Sequence, residues 1–229
     1  EPFTLLPASG FAASTRKLYG EWVKLVVCGG PARAGHNHED RGSFVLEFAG
    51  ETFAADPGGL NYADAAANTM KHAQNHNMLV PVVQPGGARP APANPAPVAV
   101  VPDARGDTVS FGARLDPGTL WPDHYRVWTR RFDSPSPDEI TVTDEFERVN
   151  GSGVEFRWHT PLPVTRRDDG RIVLQGTRGQ AVLTPPEGTS VDIVPPRDLG
   201  CRRLSTIIFH HPAAHAVLVT EIRLETGRP

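Results

Sequence analysis

The chain has little of what marks several large classes of protein. Its 229 residues include only two cysteines, which are too few for a disulfide framework. The formal net charge is -3 and the isoelectric point is near 6.3, so no basic field is available to attract nucleic acid. No run of about 18 apolar residues is present, which excludes a membrane-spanning helix. We therefore expect neither nucleic-acid binding nor membrane insertion.

The sequence leaves the compartment and the chain ends open. No signal peptide is visible, and the first residue is Glu1 rather than methionine, so we expect a trimmed part of a longer protein. Cys28 ends an apolar run and is expected to be a buried thiol. Its pairing with Cys201 is left open.

Proline and glycine are abundant, and they separate many short runs rich in Val, Ile, Thr and Phe. This pattern is typical of an all-β fold. In segment 139–147, Ile140, Val142 and Phe146 alternate with polar residues, which predicts one buried face. Only the Ala-rich piece 63–72 is expected to be helical. So many strands predict a large two-layer antiparallel β-sandwich.

We expect a single domain over residues 1–229. Segment 84–97 is rich in proline, glycine and alanine, while strand-like patterning continues unchanged on both sides of it. It is therefore predicted to be a mobile surface loop within the domain and not a linker between domains.

Histidines and a carboxylate stand at the ends of strand-like segments in the first third of the chain. His36 and His38 precede the apolar run 44–48. Asp56 follows the next run, and His76 lies just before a third. Two imidazoles, a carboxylate and a water suit zinc in tetrahedral geometry. The pattern predicts a divalent metal site, but His36 and His38 share a face if extended, so spacing leaves the choice between them open.

A cupin-type metal oxygenase is one alternative, because cupins also carry a His-x-His motif. Gly30 lies six residues before His36, which fits the cupin spacing. Gly42 and Ser43 stand where the cupin glutamate should follow the second histidine. The sequence therefore disfavours this alternative.

The same segment resembles the C-terminal domain of the heparinase II/III-like polysaccharide lyases. That family shows His-x-His-x-Asp before a Ser-Phe strand, then Asp-Pro-Gly, a nearby tyrosine and a His-Asn pair. The chain matches this pattern in order and spacing with the following residues: His36, His38, Asp40, Ser43, Phe44, Asp56, Pro57, Gly58, Tyr62, His76 and Asn77. Later strand-like runs are also similar, although only segment 35–80 is specific.

The resemblance implies a fold and an activity. The fold would be a β-supersandwich normally preceded by a helical toroid, which this chain lacks, with substrate bound in the cleft between them. The activity would be cleavage of uronic-acid-containing polysaccharides, heparin-like, heparan-like or alginate-like, by β-elimination. That chemistry requires the C5 carboxylate to be neutralised, the C5 proton to be removed and the leaving oxygen to be protonated. We expect the chain to be the β-sandwich domain of such a lyase and incomplete as an enzyme by itself.

The resemblance also divides the candidate residues by role. It implies that His38, Asp56 and His76 hold a divalent metal, typically zinc. It places His36 and Tyr62 in the substrate cleft as candidate catalytic residues. The metal would mainly fix the loops that bear them.

Three further residues and the partners follow from the same comparison. Asp40 and Asn77 are predicted to orient the metal ligands, and Arg130 is a candidate for binding a sugar carboxylate. The expected partners are an acidic polysaccharide or oligosaccharide and the missing toroid, and a homodimer is left open. The resemblance favours a periplasmic or secreted location and leaves a cytoplasmic one open. The remaining alternative is a non-catalytic carbohydrate-binding or structural β-sandwich.

Overall fold

The computed structural model describes residues 1–32, 38–61, 63–93 and 96–226. In these ranges the chain forms mainly β-strands. Their bounds are β1 (Phe3–Leu6), β2 (Phe11–Leu18), β3 (Glu21–Cys28), β4 (Phe44–Phe48), β5 (Glu51–Ala54), β6 (Leu79–Val82), β7 (Asp103–Gly106), β8 (Phe111–Leu115), β9 (Tyr125–Ser136), β10 (Glu139–Arg148), β11 (Gly153–Thr160), β12 (Val164–Arg166), β13 (Ile172–Gln175), β14 (Gly179–Thr184), β15 (Ser190–Leu199), β16 (Arg202–His211) and β17 (His215–Thr226). The helical parts are short: α1 (Ala67–Met70) and two 3₁₀ turns, Ala73–Asn75 and Pro117–Leu120.

The strands form three antiparallel sheets. The N-terminal sheet has the order β1-β2-β3-β4-β5, and the large sheet has the order β12-β13-β14-β17-β10-β9-β8-β7. The small sheet has the order β15-β16-β11-β6. The prediction of an all-β antiparallel sandwich is confirmed. The short helix α1 falls inside the segment 63–72 that was expected to be helical.

The three sheets share one hydrophobic core. Phe44 of β4 illustrates this, because its ring lies 5.3 Å from that of Phe132 in the large sheet and 5.2 Å from that of Trp158 in the small sheet. All three side chains are almost completely buried. Aromatic rings in such edge-to-face contacts add specific geometry to the burial of apolar area. The start of β4 is therefore fixed from two sides, next to the loop that carries His38.

Strand β10 shows how the sequence alternation builds this core. Ile140, Val142 and Phe146 are buried as predicted, each with 1–2 % of its surface exposed. Asp144 belongs to the same inward-facing set and is equally buried. A carboxylate at such a position requires a partner, because an unpaired buried charge is strongly unfavourable.

The segment between β6 and β7 runs over the surface without a strand or helix in its described part. It is attached to the small sheet by Arg89, whose guanidinium pairs with the buried carboxylate of Glu155. A backbone hydrogen bond from Ala93 to the carbonyl of Leu120 attaches it to the 3₁₀ turn before β9. The mobility expected of segment 84–97 stays a prediction. Among the described residues no helix is long and apolar enough to cross a membrane.

Candidate metal site

His38, Asp56 and His76 come together although they lie in three different segments. His38 is in the connection from β3 to β4, Asp56 lies two residues after the end of β5, and His76 follows the 3₁₀ turn that precedes β6. One potential ligand atom from each residue lies within 4.8 Å of the others. The structure therefore assembles the three residues to which the resemblance assigned a metal.

The closest contact in this group joins His76 and Asp56. The Nδ1 atom of His76 lies 2.8 Å from Oδ2 of Asp56, and the rings of His76 and His38 are 5.3 Å apart at their centroids. The His76 side chain is completely buried, whereas that of Asp56 is 34 % exposed, so the group opens to solvent on the Asp56 side. The buried Nε2 atom of His76 has no hydrogen-bond partner within the described part of the chain. Two imidazoles and a carboxylate facing one another are a donor set that zinc accepts at distances of about 2.0–2.2 Å, so these residues fit a divalent metal.

The pKa values in the group are coupled. Burial lowers the pKa of His76, but the hydrogen bond and negative charge of Asp56 outweigh it, so the pKa lies above its usual value. Burial raises the pKa of Asp56, but the hydrogen bond with His76 and the charge of His76, together with the hydrogen bond from Gly58, outweigh it, so the pKa is lowered. Burial and the charge of His76 lower the pKa of His38. At neutral pH the group thus offers a carboxylate and a neutral His38, and metal binding would displace the proton that Asp56 favours on His76.

The Asp-Pro-Gly turn fixes the carboxylate of Asp56. The amide of Gly58 donates a hydrogen bond of 2.9 Å to Oδ1 of Asp56, as in an Asx-turn. Gly58 has a φ of +78°, and a Cβ atom there would lie 2.5 Å from Sγ of Cys201. The backbone conformation therefore favours glycine at this position, and any larger residue would also make the Cys201 thiol move.

Asn77 connects the backbone segments around the group. Its amide nitrogen donates to the carbonyls of Phe44 and Ala55 at 2.8 and 3.0 Å, and its side-chain oxygen accepts from the amide of His159 at 2.7 Å. Its own backbone amide donates to Oγ of Ser43 at 3.0 Å. Asn77 thus acts on the backbone next to the aspartate and does not touch the ligand side chains. Its predicted role in orienting the ligands stays a prediction, and these contacts support it.

Asp40 and Glu39 lie beside His38. Burial raises the pKa of Asp40, and the charges of His76 and Asp56 act on it as well, which places it close to the group. Its role as an orienting residue stays a prediction. Glu39 was not identified from the sequence, yet it makes the more direct connection, to the 3₁₀ turn that leads to His76. A single glutamate between a histidine and an aspartate carries no pattern that would predict this contact.

The prediction that Arg130 binds a sugar carboxylate is wrong. Its guanidinium is completely buried, donates Nε and Nη2 to the two oxygens of Asp144 at 2.8 and 2.7 Å, and lies over the ring of Phe156. Its Nη1 atom donates to the carbonyls of Gly42 and Asn77, both at 2.8 Å. These two carbonyls belong to the segments that carry His38 and His76. Arg130 therefore supports the site from inside the core and is not accessible to a substrate.

The two candidate catalytic residues, His36 and Tyr62, lie outside the described residues. Their assignment to the substrate cleft stays a prediction.

The two cysteines are free thiols. Cys28 is half-buried, and burial raises the pKa of its thiol, with the charges of Asp40 and Asp56 adding to the effect. Cys201 is exposed and its thiol donates to the carbonyl of Pro57 at 3.3 Å. The pairing that the sequence left open is not made.

Comparison with known proteins supports the resemblance found in the sequence. Residues 1–81 match the family model described as heparinase II/III-like, C-terminal. The resemblance found in the sequence, to the C-terminal β-sandwich domain of the heparinase II/III-like polysaccharide lyases, is thereby confirmed. No curated protein sequence is significantly similar to the chain.

Solved structures with the same fold extend the likeness to nearly the whole chain. A mutant of the heparan sulfate lyase HepC from Pedobacter heparinus has a TM-score of 0.78 at 12 % identity, covering 99 % of this chain and 37 % of that one. A heparinase III, the BT4657 gene product, has a TM-score of 0.76 at 15 % identity, covering 99 % of this chain and 36 % of that one. At such low identity these matches show the fold alone. The chain spans just over a third of the length of these proteins.

Proposed function

We propose that the chain is the β-sandwich domain of a polysaccharide lyase that cleaves uronic-acid-containing polysaccharides by β-elimination. The observation that carries this proposal is the convergence of His38, Asp56 and His76 within a domain of the heparinase II/III-like C-terminal type. The similar structure from Pedobacter heparinus is a heparan sulfate lyase. An acidic polysaccharide of the heparin, heparan or alginate type is accordingly the proposed substrate.

In this proposal His38, Asp56 and His76 hold a divalent metal ion, with zinc the preferred one. When bound, the ion supplies a fixed point of attachment that holds three loops together, and it is not needed to activate a water. The burial of His76 and the supporting contacts of Arg130 and Asn77 fit such a structural role. Because the ligands must release their protons to bind, the affinity depends on pH.

His36 and Tyr62 are proposed to act on the substrate. A histidine or tyrosine within hydrogen-bond reach of C5 can remove its proton, and the same or another group can protonate the leaving oxygen. Groups that donate to the C5 carboxylate stabilise the charge that develops on it. His36 lies two residues before His38, so a metal held by His38 would also restrict the segment that carries His36.

The rest of the active site is proposed to lie on a helical toroid domain that packs against this one. The proteins of known structure that match the chain are much longer than it, since the chain covers only 36–37 % of their length. In the proposal residues 1–229 form a single domain, and the cleft between the two domains receives the polysaccharide. Neither the chain alone nor the toroid alone would be fully active.

The activity is tested with the protein that contains both domains. Heparin, heparan sulfate and alginate oligomers are offered as substrates, and the unsaturated uronate product is followed by its ultraviolet absorbance. We expect product with the wild type and a large loss of turnover with His36→Ala or Tyr62→Phe, while the exposed residue His215 can be changed to alanine as a matched control. Failure to form the product from any of these acidic polysaccharides would refute the lyase proposal.

The metal is tested separately on the 229-residue chain. Elemental analysis should find one zinc per chain, and His38→Ala or Asp56→Ala should remove it, because a site with three protein ligands loses most of its affinity with one of them. His215→Ala is again the control and should keep the metal. A stoichiometric zinc signal that persists in both ligand variants would refute this ligand set.

A non-catalytic domain is the second candidate function. The observation in its favour is that one of the three proposed ligands faces the core: His76 is fully buried, and Arg130 donates to the carbonyl of the adjacent Asn77 from within the core. In that case the metal would only join the loops, and the domain would bind carbohydrate or serve as structural support. Zinc bound by the proposed residues together with the absence of any lyase product would favour this candidate.

A further inference from the structure

Glu39 joins the segment of one proposed metal ligand to the segment of another. Its backbone amide donates to the carbonyl of Lys71 at 2.8 Å, and its Oε2 atom accepts from the amide of Ala73 at 2.9 Å. Its Oε1 atom lies 3.2 Å from Nδ1 of His72. Glu39 directly follows His38 in the chain. The three contacts therefore connect the His38 loop to the turn that leads to His76.

The contact with Ala73 satisfies a need of that turn. The first amides of a helical turn have no acceptor within the turn and are usually satisfied by the side chain of the residue that precedes it. Here that residue is His72, whose side chain makes no such capping hydrogen bond. Glu39 supplies the missing acceptor from a segment 34 residues away in sequence. The start of the 3₁₀ turn Ala73–Asn75 is thus fixed by the residue next to the opposite metal ligand.

The Glu39 carboxylate is not placed to bind a metal itself. Its side chain is only 11 % exposed, and both of its oxygens already have partners in the turn. The His72 side chain is 43 % exposed, so its contact with Glu39 is the more solvated of the two. The part-buried hydrogen bond to the Ala73 amide is therefore the contact that holds the two segments together.

We propose that Glu39 is a positioning residue that holds the His38 and His76 segments at the separation a metal ion requires, and so sets the metal affinity. This inference rests on the proposed metal site. Partners of metal ligands commonly change affinity by about 10–100-fold when removed, and Glu39 acts in this way through the backbone and not through a ligand ring.

The test measures zinc affinity by competition with a chromophoric chelator in the 229-residue chain. Glu39→Ala should weaken zinc binding about 10–100-fold. Glu39→Gln keeps an oxygen that accepts from the Ala73 amide, so it should retain most of the affinity. The control is Glu47→Ala on β4, which removes the same charge from an exposed pair with Lys24 of β3 and should leave the affinity unchanged. Equal losses in the alanine and glutamine variants would show that the charge of Glu39 matters and not its hydrogen bond, and would overturn the proposal.

A second measurement reports the contact without any metal. In the metal-free chain the Ala73 amide should exchange slowly with deuterium, and Glu39→Ala should make its exchange faster while the core amides of β10 stay protected. Unchanged exchange at Ala73, or unchanged zinc affinity in Glu39→Ala, overturns the role of Glu39. A wild type that binds no zinc at all refutes the metal site itself, so the two failures are distinguishable.

Discussion

Arg130 and Asp144 form a buried ion pair in which each side chain depends on the other. Arg130 is 0 % exposed and Asp144 is 1 % exposed. The carboxylate of Asp144 also accepts a hydrogen bond of 2.8 Å from the indole of Trp128. The perturbation we consider is Asp144→Asn, which keeps the shape of the side chain and removes its charge. The positive charge of Arg130 then remains buried without a counterion.

The magnitude follows from burial. Removing one partner of a buried ion pair destabilises a protein by about 3–5 kcal/mol, because the remaining charge is left without water and without compensation. Arg130→Met should cost a similar amount, since it leaves Asp144 charged and also frees the carbonyls of Gly42 and Asn77. The double variant Arg130→Met with Asp144→Leu should cost much less than the sum, because no charge remains buried.

The assay is the free energy of unfolding from denaturant titration, with Arg126→Met as the matched control. Arg126 and its partner Glu147 lie on the same two strands, but their side chains are 68 % and 43 % exposed. Exposed pairs contribute at most about 1 kcal/mol, so this control should change stability little. A cost for Asp144→Asn as small as that of the control would refute the conclusion that the pair is desolvated and structural. It would also reopen the question of how Arg130 is used.

Three other predictions concern protons, thiols and the metal. Burial, assisted by the charge of His76, lowers the pKa of His159 to about 3, so this residue stays neutral in the fold while the unfolded chain takes up a proton below a pH of about 6.5. Its contribution to the free energy of unfolding is therefore complete above a pH of about 6.5 and is lost as the pH falls towards 3, by up to about 1.4 kcal/mol per pH unit. A constant difference between the free energies of unfolding of the wild type and His159→Gln down to low pH would contradict this. A thiol reagent should modify the exposed Cys201 quickly and Cys28 slowly, because burial raises the pKa of Cys28; two equally fast phases would be inconsistent with the structure. Chelation should lower the melting temperature of the zinc-loaded wild type but not that of Asp56→Ala. The reason is that a ligand present at 100 times its Kd stabilises the folded protein by about 2.7 kcal/mol. Equal shifts of the melting temperature in the two proteins would place the metal elsewhere.

The strands were predictable because alternation carries the information. Ile140, Val142 and Phe146 are buried as their period of two indicates. The same period would have placed Arg130 on the inner face, between the buried residues Trp128 and Phe132. The sugar-binding prediction for Arg130 is wrong because the position of the residue, and not its charge, decides which way the side chain faces. A charged residue within a buried stripe indicates a partner in the core, here one strand away.

The candidate site was predictable only in part. The spacing of the histidines and the aspartate indicated a metal site, but the assignment of His38 came from the resemblance, and nothing in the sequence shows which loops meet. The contact of Glu39 with Ala73 depends on how two loops are placed by the N-terminal and small sheets. Contacts of this kind are set by tertiary structure, and no local pattern encodes them.

The supports of the site differ in depth, and this has a thermodynamic consequence. Arg130 and Asn77 hold the two histidine segments from the core, whereas Glu39 joins them near the surface. If Arg130 favours the arrangement that binds the metal, linkage requires that the metal favours the same arrangement by an equal amount. Arg130→Met should therefore weaken zinc binding and, in equal measure, reduce the stabilisation that zinc gives to the folded chain. The proposed metal and the buried ion pair would then act as two coupled supports of one arrangement, so the loss of either reduces what the other contributes to stability.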